Sequence, residues 1–183
     1  MRQGSICLLP QIYALAGPAS FSARFKAGMA KREVEVHHDP SRPDTAAILI
    51  VGGTRHLEPI LRARRRGVRV VQRLNGMNWI HRHRRTGIRH FLRAEAGNLL
   101  LAFIRRFVAD FVVYQSEFAR GWWERVYGKT LVENTVIWNG VDLAEFSPHG
   151  EESPPTDRVR VQVVEGHLKG GFEIGLEIAA GFG

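Results

Sequence analysis

The chain has 183 residues, of which 44% are hydrophobic and 24% charged, and its net charge is +8. That balance fits a soluble globular protein and excludes disorder over the whole length. The single cysteine, Cys7, excludes a disulfide framework, and no run reaches the ~20 apolar residues of a membrane span.

Taken in order, short β-branched runs alternate with longer helical stretches. Ser5 to Leu9 reads as a buried strand, and Pro10 breaks the run too early for a signal core. Gly17-Pro18-Ala19-Ser20 opens a helix to about Ala30, with Pro18 suited to a first turn. Val34 to Val36 is a short strand. Ala46 to Val51 is a continuous apolar run, as expected of a strand covered on both faces, and it ends at Gly52-Gly53-Thr54. A helix from Pro59 to Arg66 stops at Gly67. Val68 to Gln72 is the next strand, closed by Leu74-Asn75-Gly76.

Residues 80 to 87 read as loop or loose helix. Ile88 to Phe107 is a long helix, with Ile88, Phe91, Leu92, Leu99, Ala102, Phe103 and Phe107 near one side. Phe111 to Tyr114 is a strand. Ser116 is placed to cap a helix from Glu117 to Val126, which Gly128 ends. Thr135 to Trp138 is a further strand. Residues 147 to 157 break the pattern and read as a linker. Val159 to Val164 and a helix from Phe172 to Ala180 form one more βα unit. Such alternation implies parallel strands joined by right-handed crossovers, an open doubly wound α/β sheet.

From Pro59 to Ala94 the chain carries eleven arginines, no lysine and no acid. Such a block needs an anionic partner or a well-hydrated face. No helix-turn-helix, RNA-binding aromatic signature or OB pattern accompanies it, which weighs against nucleic acid. Gly-x-Gly-x-x-Gly, the phosphate loop and Gly-x-Ser-x-Gly are all absent. One cysteine and scattered histidines give no zinc spacing. In an open α/β sheet, ligands bind at the carboxyl ends of strands. The segments expected there are Gly17 to Ser20, Gly52 to Thr54, Arg73 to Trp79, Gln115-Ser116 and Asn139-Gly140.

Three of these segments occur in the order of a known family. They are Gly17-Pro18-Ala19-Ser20, Tyr114-Gln115-Ser116-Glu117-Phe118 with Trp122-Trp123, and Ile137-Trp138-Asn139-Gly140-Val141-Asp142 running to Phe146-Ser147-Pro148. Together they resemble the N-terminal domain of family 4 glycosyltransferases, which have the two-domain GT-B architecture with Rossmann-like halves. The resemblance covers residues 5 to 149 and, more loosely, the rest. It implies an acceptor-side domain over residues 1–146, the linker 147–157, and the first βα unit of an incomplete donor-side domain over 158–183. The family's late glutamate pair would follow Gly183.

The resemblance further implies retaining transfer of a sugar from a nucleotide-diphosphate donor to a glycan or lipid-linked acceptor. The nucleotide sugar is then a co-substrate, and no metal or other cofactor is called for. Gly17, Pro18, Ala19 and Ser20 would lie near the donor phosphates and reacting carbon. Arg73, Asn75 and Gly76 would line the cleft, with Ser116 in the strand-to-helix turn and Asn139 and Gly140 near the hinge. Lys169 is the candidate diphosphate cation of the donor side. No nucleophile is assigned, because no suitably placed carboxylate is evident. The expected location is cytoplasmic, with the arginine block favouring peripheral contact with an anionic membrane face. The alternative is a non-catalytic basic α/β module that binds an anionic polymer or membrane surface.

Overall fold

The β-branched runs lie side by side as six parallel strands: β1 (Ser5–Leu9), β2 (Val36–His37), β3 (Thr45–Val51), β4 (Arg69–Leu74), β5 (Phe111–Tyr114) and β6 (Glu133–Val136). Their order is β2-β1-β3-β4-β5-β6, and every neighbouring pair is parallel. The helices are α1 (Gly17–Ala30), α2 (Leu57–Arg65), α3 (Ile80–His83), α4 (Ile88–Phe103) and α5 (Glu117–Tyr127), with a π-helical turn over Ile104–Val108. This computed structural model describes residues 4–12, 17–141, 143, 175–177, 180 and 181. The fold is a Rossmann-like open α/β sheet.

Register decides what each face carries. Cys7, Ile48 and Val70 stand abreast, as do Leu9, Ile50, Gln72 and Val112, followed by Leu74 beside Tyr114. All of these are buried. Ile60 and Ala63 of α2 and Ile104 and Val108 of the π-helical turn pack on the first part of this face, and Trp123 of α5 packs on the last. The opposite face is less covered: Ile6, Ala47, Leu49, Val71 and Val113 are half-buried. The continuous apolar run of β3 therefore does not signal equal cover on both sides. Right-handed crossovers require this asymmetry. The chain moves one way from β1 to β2 and the other way from β3 to β6, so α1 lies on the face opposite α2, α4 and α5.

Several expected elements are corrected. The short strand expected at Val34 to Val36 is observed at Val36–His37, and the chain then recrosses β1 through residues 38–44. The strand expected at Thr135 to Trp138 ends at Val136, and Ile137 and Trp138 are exposed. The apolar side of the long helix points outward. Ile88, Phe91, Leu92, Leu99, Phe103 and Phe107 are exposed, while Ala94 and Asn98 are buried. The π-helical turn, closed by Ala109 N–H donating to Ile104 O at 2.9 Å, buries Ile104, Arg105 and Val108. The chain divides into two units, Met1–Asn139 and Gly140–Gly183. In the second, residues 175–177 are helical, within the expected helix, whereas the linker and the strand at 159–164 lie outside the described residues.

Two buried polar groups show opposite behaviour in the core. Cys7 is enclosed, and burial, with Asp39 adding to it, pushes its thiol up to about 12, so it is a neutral core residue. His37 accepts from Asp39 N–H at Nδ1 (3.2 Å), so Nε2 carries the proton and faces Ser5 Oγ at 3.0 Å and Thr45 Oγ1 at 3.2 Å. Burial holds its pKa below the ordinary value, with Arg42 adding to the effect and Asp44, Glu35 and Asp39 opposing it. The unfolded state then binds the proton more readily. Stability is expected to fall as pH drops below about 6.5 and to level off below the folded-state pKa. Melting temperatures across that range, compared with those of His37→Gln, test this. An unchanged slope in the variant would assign the loss to other groups.

Candidate functional site

The order β2-β1-β3 places a topological switch point between β1 and β3, where an open sheet forms its crevice at the carboxyl ends. The turn after β3 is built for a close approach. Gly52 has φ +74°, which favours glycine, and its N–H donates to Arg73 O at 2.8 Å. Gln72 reinforces the turn from the other face. Its Nε2 donates to Gly52 O at 2.8 Å and to Leu101 O at 3.2 Å, tying β3 to α4 through a fully buried side chain.

Arg73 ends up at this edge on the face of α1. Its neighbours Gln72 and Leu74 point to the α2 side, so strand alternation turns Arg73 the other way. Its guanidinium carbon lies 4.0 Å from the ring centroid of Phe21 in α1, a cation–π contact. Nη1 donates to Asn75 Oδ1 at 2.7 Å, and Nη2 donates to Asn139 Oδ1. The residue is 5% exposed, and burial lowers the pKa of its guanidinium from the ordinary value. Among the described residues it has no carboxylate partner. Arginine carries five N–H donors, and the two asparagine bonds leave the others unclaimed by described residues.

Arg105 is the useful contrast. It is equally buried, yet it donates to Tyr114 Oη, to Gly128 O and twice to Thr130 Oγ1. Its charge is dispersed over oxygens that lock the π-helical turn to β5 and to the loop after α5. Arg73 lacks such a cage: among the described residues it has two amide acceptors.

The sequence-predicted residues therefore separate. Arg73, Asn75 and Asn139 meet. Gly17, Pro18, Ala19 and Ser20 form the first turn of α1, the helix whose Phe21 covers Arg73. Asn75 is anchored from behind, since Trp123 Nε1 donates to its carbonyl at 2.7 Å. Gly76 is exposed and borders a cavity of about 330 Å³, whose polar lining includes Asn78, His90, Arg93 and Asn98. Ser116 serves the scaffold: its Oγ accepts from Ala119 N–H at 3.1 Å and caps α5. Ser116→Ala is expected to cost about 1 kcal/mol in urea unfolding. Gly140 falls in the second unit, and Lys169 lies outside the described residues.

Other buried or half-buried polar groups hold the fold together. His81 is buried, with Nε2 2.7 Å from Glu95 Oε1, and Glu95 also accepts from Arg82 Nε and Nη2. Hydrogen bonds from Arg82 first, then His81, hold the Glu95 carboxyl down at about 2. Asn98, which sequence reading passed over, clamps the Asn78 backbone in both directions at 3.0 and 2.7 Å. Phe21 was also missed. Its signal is the Phe21/Phe25 pair at helical spacing, whose rings stack 5.9 Å apart. Among the described residues no group of His, Cys, Asp and Glu could hold a metal ion. Comparison with protein-family models, curated proteins and solved structures finds no match for this chain.

Proposed function

We propose that this chain is the acceptor-side domain of a retaining glycosyltransferase of the family 4, GT-B type, with part of its donor-side domain. Its Arg73 would meet the diphosphate of a nucleotide sugar. The observation that carries the reading is a buried arginine at the carboxyl edge of a parallel sheet, without a carboxylate among the described residues. A site that stabilises a departing diphosphate needs fixed donors aimed at growing negative charge, in a place where water is scarce. Arg73 meets that need. The asparagines fix its orientation, Phe21 shields one side of it, and its unclaimed N–H groups can turn to an incoming phosphate.

The polymer-binding alternative gains less support. Part of the arginine block is engaged within the fold. Arg62 pairs with Glu58, Arg64 with Asp110 and Arg82 with Glu95, while Arg66 donates to the carbonyls of Pro40, Ser41 and Arg42. Isothermal titration with UDP-glucose, GDP-mannose and inorganic diphosphate tests the proposal. Heat with a nucleotide sugar or with diphosphate that disappears in Arg73→Met is the expected result. Absence of heat with all three, or equal heat in the variant, would overturn it.

A further inference from the structure

We infer that the outward side of α4 and its π-helical extension docks on an anionic lipid bilayer, lying in the plane of the interface. The observation is a ridge of large apolar side chains with no described cover. Ile88, Leu92, Leu99, Phe103 and Phe107 follow one another at spacings of four, seven, four and four residues. That places them along one side of the helix. They are 79%, 63%, 59%, 45% and 61% exposed, respectively. Ala94 and Asn98 occupy the buried side, and Leu101 packs against the core there. The ridge spans 19 helical steps, or about 28 Å at 1.5 Å per residue. No described helix is long and apolar enough to cross a membrane. A contiguous apolar patch rimmed by charge is the signature of an interaction site.

Charge selects the occupant. Arg85, Arg89, Arg93 and Arg106 are exposed along this segment. From Ile88 to Ala109 the only acid is Glu95, and it is bridged to Arg82 and His81. An apolar stripe edged by arginines fits headgroup phosphates flanking acyl chains. A second copy of the same surface would set these arginines against their counterparts. Nucleic acid would satisfy the arginines but leave the phenylalanines and leucines in water. The ridge faces away from the sheet and Arg73 lies on the opposite face, so this surface does not rest on the glycosyltransferase reading.

The test is co-sedimentation of the full chain with vesicles of phosphatidylcholine alone and of phosphatidylcholine with equimolar phosphatidylglycerol, at low and high salt. Binding to the anionic vesicles that weakens with salt is expected. Arg85→Ala with Arg89→Ala should lower partitioning about thirtyfold. Leu99→Asp with Phe103→Asp should lower it about a hundredfold or more. Both changes are at exposed positions, and an unchanged circular dichroism spectrum and melting temperature confirm that the fold persists. Nucleotide-sugar heats should be the same in both variants, which separates this proposal from the Arg73 site. Failure of the unaltered chain to enrich on anionic vesicles would overturn the inference, as would equal sedimentation of the Leu99/Phe103 variant. A dimer that the Leu99/Phe103 pair dissolves, without vesicle binding, would reassign the ridge to self-association. A duplex shift that depends on the arginines but not on the ridge, again without vesicle binding, would reassign it to nucleic acid.

Discussion

Arg73→Met is expected to weaken diphosphate recognition strongly while leaving the fold at least as stable. The two effects have one cause. A guanidinium taken out of water costs several kcal/mol unless its surroundings replace the lost hydration. Two amide oxygens and a ring face replace it only in part. Methionine keeps the stem and removes the charge. Asn139 is exposed and Asn75 half-buried, so water can take over their released oxygens. Stability should therefore stay level or rise by about 1 kcal/mol. Loss of charge-assisted bonds to phosphate should weaken diphosphate binding about a hundredfold.

Arg105→Met is the control with the opposite sign. That side chain leaves Tyr114 Oη, Thr130 Oγ1 and Gly128 O without their shared donor. A loss of about 3 kcal/mol or more is expected. Urea unfolding of both variants, with titration of inorganic diphosphate, separates the roles. Destabilisation of Arg73→Met by as much as Arg105→Met would make Arg73 a structural arginine.

The reason Arg73 could be singled out from sequence is local. It follows an apolar run and precedes Leu74-Asn75-Gly76, so it falls at a strand end whatever the neighbouring order. Asn139 was readable for the same reason. That they meet depends on β4 and β6 flanking β5, which is a matter of sheet order rather than of local pattern. Residues chosen for turn chemistry fared differently. Ser116 was read from the sequence both as a cap and as a site candidate, and the structure shows the cap, because the first amides of α5 need an acceptor.

Periodicity at α4 told which residues share a side but not whether that side is buried. A 3.6-residue repeat states that apolar residues share a side; it does not state what faces that side. The buried side of α4 carries Ala94 and Asn98, too small or too polar to register as a core stripe. The ridge with the larger side chains is the exposed one. The half-covered sheet face was hidden similarly, because an apolar run reads alike whether its second side is enclosed or partly open.

Trp123→Ala is expected to be the most destabilising single change in the domain, at about 3–5 kcal/mol. Trp123 is fully buried between α5 and β5, amid Leu74, Val112 and Tyr114. Its ring stacks on Tyr127 at 5.5 Å between centroids. Truncation removes the largest fully buried side chain among the described residues and leaves a cavity that flanking strands cannot close. It also removes the indole N–H that donates to Asn75 O. Asn75 then loses its anchor from behind, and Arg73 loses the fixed position of one of its two acceptors. The effect on anion binding should thus exceed what global unfolding explains. Trp123→Phe separates the two contributions. It retains most of the packing and none of the hydrogen bond, so a stability loss of about 1–2 kcal/mol is expected. Diphosphate affinity measured well below its melting temperature should still fall. Unaltered affinity in folded Trp123→Phe would show that the indole bond does not position the Arg73 cluster.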